Sequence, residues 1–71
     1  MDSKQAQVER NFTYHAPKEG QIERYAQLRA KAKELALLIL ELTPASREQS
    51  LALTELEYCS MMANAAIARN E

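Results

Sequence analysis

The sequence predicts an all-α chain: an antiparallel helical hairpin of two long helices, preceded by a short N-terminal helix and an ordered loop, assembling into a homo-oligomer. Three observations carry this expectation. Apolar residues recur at helical spacing in two runs of matching length, and a proline-containing turn divides the runs. The composition of the 71 residues, 46% hydrophobic with one Gly, two Pro and no Trp, is otherwise rich in good helix formers. The chain reads as a single domain over 1–71, with the short helix and loop in 1–20, helix one in 21–43 and helix two in 46–70.

The N-terminal stretch SKQAQVER (3–10) offers good helix formers and Ser3 as a candidate cap. A helix of two turns is marginal without tertiary contacts. The next stretch, NFTYHAPKEG, breaks the pattern: Thr13 and Tyr14 favour extended backbone, Pro17 pushes Ala16 out of the helical region, and Gly20 admits a turn. Phe12, Tyr14 and His15, three of the five ring side chains, fall in this loop. Phe12 is expected to fold back over the end of the helix pair. Tyr14 has two open roles, covering that end or stacking flat on a nucleobase. His15 has no second histidine or cysteine nearby, which favours a capping or hydrogen-bonding role.

The run QIERYAQLRAKAKELALLILEL (21–42) places Tyr25, Leu28, Ala32, Leu35, Ile39 and Leu42 along one helical stripe. Ala36, Leu37, Leu38 and Leu40 make its second half apolar most of the way round, the pattern of a helix covered from more than one side. Pro44 ends the helix by forcing Thr43 out of helical geometry. The short connection that results makes the next helix an antiparallel neighbour. Ser46 with Gln49 forms a candidate capping box. Helix two then sets Leu53, Leu56, Ser60, Ala63 and Ile67 on its stripe, with small residues dominating the last turns. Met61 and Met62 suit gap-filling in a core or interface, and Cys59 suits a small buried hydrophobe.

So short a chain seldom buries enough apolar surface to stand alone, and its lone cysteine and lone histidine exclude a disulfide or a structural zinc site. Oligomerisation is the remaining source of core. A net charge of −1 argues against a partner of long nucleic acid. No apolar run is free of charge for long enough to span a membrane, and the polar start is no secretory signal, so a cytoplasmic location is expected.

No glycine-rich phosphate loop, zinc-hydrolase motif or Ser/His/Asp set is present, and Glu55 and Glu57 point about 200° apart on a helix. The chain reads as a non-enzyme without cofactors. What remains is binding. Arg24, Arg29, Lys31 and Lys33 crowd helix one, with Arg29 and Lys33 aligned and Lys31 nearly opposite. Arg29 and Lys33 suit one anion. Solvation, or pairing with Glu34 on the next turn, is the plainer alternative. Arg69 either serves the last carbonyls of helix two or converges with its copies around an anion at an assembly axis.

The blocks FTYHAPKEGQIERYAQLRAKAKELA, PASREQSLALTELE and MANAAIARNE, in this order over roughly residues 11–71, resemble the second anti-CBASS family of phage cyclic-nucleotide sponges. Those proteins share a helical-hairpin domain with the anti-Thoeris sponges. The resemblance implies a homohexamer in the host cytoplasm that sequesters cyclic dinucleotides, and also cyclic trinucleotides, without cleaving them. It assigns cyclic dinucleotide contacts to Tyr14 and Arg29, with Lys33 as the alternative one turn on. It assigns cyclic trinucleotide contacts to Arg69, and more weakly to Lys31; His15, next to Tyr14 in the loop, is a further candidate ligand-binding residue. Met62 departs from relatives that carry Trp just before the ANAAIARN block. The rival readings are a helical adaptor that engages a phage or host protein, and a short DNA-binding regulator. The acidic second half disfavours the latter.

Overall fold

A computed structural model describes residues 3–71; Met1 and Asp2, at the start of the expected N-terminal segment, lie outside the described residues. These residues form three helices and no strand: α1 (Ser3–Asn11), α2 (Gln21–Leu42) and α3 (Arg47–Asn70). α2 and α3 pack antiparallel, so that Ala36 lies level with Leu53 and Leu56, Ala32 with Ser60, and Tyr25 with Ala68. Together they make the predicted hairpin.

Each boundary has a local cause. Gly20 caps the start of α2 at φ 83°, a left-handed conformation that glycine adopts without steric strain, and Glu23 brings negative charge to the first turn. Thr43 leaves α2 in extended geometry, as the residue before a proline must, while its N–H still reaches Ile39 O at 3.1 Å. Ser46 Oγ accepts from the Gln49 N–H at 3.1 Å and starts α3. The other half of the expected capping box is not formed. Gln49 Nε2 instead donates to Thr43 O and Thr43 Oγ1, both at 3.1 Å, because these acceptors lie across the tight turn. The serine therefore ties one helix start and its glutamine ties the preceding helix end. Ser46→Ala is expected to cost about 1 kcal/mol and to lower the thermal midpoint by roughly 4–8 °C, measured by circular dichroism.

Ser3 is the first residue of α1 and not its cap. The C-terminal end of α1 is closed by side chains of the loop: Thr13 Oγ1 donates to Glu9 O, and His15 Nε2 donates to Arg10 O at 2.7 Å. Phe12 does not fold back over the helix pair. It and Tyr14 are 85% and 84% exposed, since the loop carries them outward while Lys18 and Gln21 make the anchoring contacts.

The molecule is one helix pair thick, with extents of 49 × 28 × 13 Å and a radius of gyration of 15.6 Å, against about 11 Å for a compact chain of this length. In so thin a plate no apolar side chain among the described residues is fully enclosed. Leu28, Ala32, Ala36 and Ile39 of α2 are half-buried against Leu53, Leu56, Ser60, Ala63 and Ile67 of α3. The α3 stripe is the one expected. On α2 the covered set turns slightly, taking Ala36 in place of Leu35, because the two helices need close approach where small residues face each other. Leu35, Leu38 and Leu42 form a second, open stripe on α2, and Leu37 and Leu40 lie on its other flank. Cys59 is exposed in an open groove that it shares with Leu28, Ala32 and Leu35 of α2, and Met61 and Met62 are exposed as well.

Candidate functional site

Helical periodicity separates the cations of α2 onto two flanks of the hairpin. On one flank a groove of about 330 Å³ runs between the helices, with Arg29 and Lys33 from α2 and Glu57 and Ser60 from α3 around a floor of Ala32, Ala36, Leu53 and Leu56. A second groove shares Arg29 and continues towards the end of α3, lined by Tyr25, Asn64, Ala65, Ala68 and Arg69. Arg29 thus stands where the two meet. Lys31 lies on the opposite flank, beside Arg24, Gln27, Leu28 and Ile67.

The two flanks differ electrostatically. Lys31 is paired with Glu34 at 3.1 Å, one turn further along α2. Arg24 is paired with Glu71, donating from Nη1 to Oε2 at 2.8 Å and from Nη2 to Oε1. Arg29, Lys33 and Arg69, by contrast, have no carboxylate partner among the described residues. The expected service of Arg69 to the last carbonyls of α3 falls to Asn70, whose Nδ2 donates to Ala66 O at 2.9 Å. Arg69 is half-buried along the groove. Arg29 and Lys33 are therefore brought together, and Arg29 and Arg69 as well, while Tyr14 and His15 line neither groove within one chain.

The contact set that the sequence did not announce is at the open end of the hairpin. Gln21, only 3% exposed, accepts from the Lys18 N–H through Oε1 at 2.9 Å and donates from Nε2 to Glu71 Oε1 at 3.2 Å. Lys18 Nζ donates to Glu71 O. With Arg24 these contacts clamp the last turn of α3 to the first turn of α2. The hydrogen bonds from Arg24 and then Gln21, together with the nearby Arg24 and Lys18 charges, hold the Glu71 carboxyl down to about 2, against a smaller opposing effect of desolvation. The same pairing raises the Arg24 guanidinium. A carboxyl depressed in the folded state stabilises the fold above its unfolded value, near 4.5, and loses that contribution as pH falls towards 2. Glu71→Gln is expected to lower the thermal midpoint at pH 6, and the difference from the unaltered protein should shrink steadily as pH falls from the unfolded value towards 2 in a pH series of melts. The matching lengths of the two long helices were the available signal, because they set residue 71 level with residues 21–24.

Among the described residues no three His, Cys, Asp or Glu side chains converge on a metal position, and no helix is long and apolar enough to cross a membrane. The arrangement can hold an anion beside an apolar plane. The chain belongs to the Acb2/Tad1 family of anti-CBASS and anti-Thoeris sponges: the model described as "Acb2/Tad1, hairpin domain" matches residues 4–68. Comparison with curated proteins and with solved structures gave no match.

Proposed function

We propose that this protein captures cyclic oligonucleotide second messengers and holds them uncleaved, thereby blocking CBASS signalling in the host cytoplasm. The observation that carries this reading is a set of three cations, Arg29, Lys33 and Arg69, that have no carboxylate partner among the described residues and lie along one flank of a hairpin from a sponge family. Cations beside small apolar surface suit a phosphodiester and its base, since a phosphate accepts charge-assisted hydrogen bonds from groups that no carboxylate among the described residues already pairs. A cyclic dinucleotide has two phosphates and two bases, so a twofold junction supplies paired contacts from one chain. Tyr14, reaching a neighbouring copy from its exposed loop, would stack on a base, with His15 beside it. Arg29 and Lys33 would hold the phosphates. Arg69 would serve cyclic trinucleotides at a threefold junction, and Lys31 would join it only on release from Glu34.

Assembly, with a hexamer as the proposed state, supplies the core that one chain lacks. The chain exposes 5941 Å², about 1,400 Å² more than a compact monomer of its mass. That excess is larger than the roughly 800 Å² each partner contributes to a standard interface. The test joins native mass spectrometry with calorimetric titration of cyclic dinucleotides and recovery of the ligand after proteolysis. An oligomer that releases intact nucleotide supports the reading; hydrolysed ligand, or none bound, defeats it.

A further inference from the structure

Glu57 is the one carboxylate in the groove that holds Arg29 and Lys33, and it forms no ion pair with either. A groove shaped only for phosphate gains nothing from a carboxylate, which repels the anion. A ligand that settles in this groove takes water from the exposed Glu57, so a ligand that also brings hydrogen-bond donors is favoured. We infer that Glu57 reads the donor edge of a guanine base, so that the groove prefers guanosine-containing cyclic nucleotides; this rests on the cyclic-nucleotide reading above.

The chemistry is directional. Guanine presents N1–H and the N2 amino group side by side, which match the two oxygens of one carboxylate in a bidentate, charge-assisted pair. Adenine presents the N6 amino group next to the N1 lone pair, so one bond forms while the lone pair faces negative charge. The floor of Ala32, Ala36, Leu53 and Leu56 gives the purine ring an apolar surface, and Arg29 and Lys33 stand across the groove on α2 to take the phosphate. Glu57 and the two cations come from different helices, so base and phosphate are read from opposite walls. Glu57 is exposed, and its replacement removes no packing from the hairpin.

Titration of the unaltered protein and of Glu57→Gln with a cyclic dinucleotide of two guanosines, and with one of two adenosines, tests the assignment. The unaltered protein is expected to bind the guanosine ligand more tightly. Glu57→Gln should weaken that ligand about tenfold or more, and leave the adenosine ligand unchanged or slightly tighter. If Glu57 merely tempers the charge of Arg29 and Lys33, the substitution strengthens both ligands alike, and that outcome overturns the assignment. A guanosine affinity unmoved by the substitution overturns it too. If the unaltered protein binds neither ligand, the cyclic-nucleotide reading fails with it; if it binds both without base-dependent change, only the role of Glu57 fails.

Discussion

Reversing the charge at Arg29 is expected to weaken cyclic dinucleotide binding by two orders of magnitude or more while the hairpin stays folded. Arg29 lines both grooves of the cationic flank, so Arg29→Glu removes the shared cation and sets a carboxylate beside Lys33, Arg69 and any bound phosphate. Loss of a charge-assisted hydrogen bond to phosphate is worth about 1.5–3 kcal/mol, and repulsion from the new carboxylate adds to it. Arg29 has no ion-pair or hydrogen-bond partner among the described residues, so its replacement breaks no polar contact of the fold. Helical content and melting by circular dichroism should therefore be unchanged while calorimetric affinity collapses. Unaltered affinity would remove Arg29 from the site and favour the adaptor reading. Lys31→Glu is the natural control, because Lys31 faces the other flank and is already neutralised by Glu34.

The largest effect on assembly is expected at Leu38. With Leu35 and Leu42 it forms a stripe that α3 leaves uncovered, the three being 46%, 46% and 70% exposed. In an isolated hairpin Leu38→Glu would change little, since a charge at an exposed helical position is well solvated. In an oligomer that covers the stripe, the substitution removes an apolar contact worth about 2 kcal/mol and introduces a charge that must be stripped of water. The variant is expected to run as a smaller species in light scattering and native mass spectrometry, and to melt several degrees lower. A variant that keeps its oligomeric mass would place the interface elsewhere on the hairpin.

Much of this architecture is local and could be read from the chain. The pre-proline Thr43 had to leave the helix, Ser46 had an amide to accept from, and Gly20 could turn where no side-chain cap was offered. Periodicity alone set Arg29 and Lys33 on one flank and Lys31 on the other. Phe12 and Cys59 are exposed where their apolar character predicts burial, and for a common reason. Each is apolar enough to suggest burial, but burial depends on an element packing over that surface: the loop carries Phe12 outward, and Cys59 lies in a groove between the two helices that nothing among the described residues covers.

What the sequence by itself determined is the set of helices, their boundaries and the flank on which each side chain lies, because these follow from backbone propensity and a fixed repeat. Which cations are free was decided only by the tertiary structure. Arg24 and Arg29 are alike in composition and neighbours in sequence. Antiparallel packing brings Glu71 level with Arg24 and leaves Arg29 without a carboxylate partner among the described residues. That difference arises between residues about fifty positions apart, where no local pattern can register it.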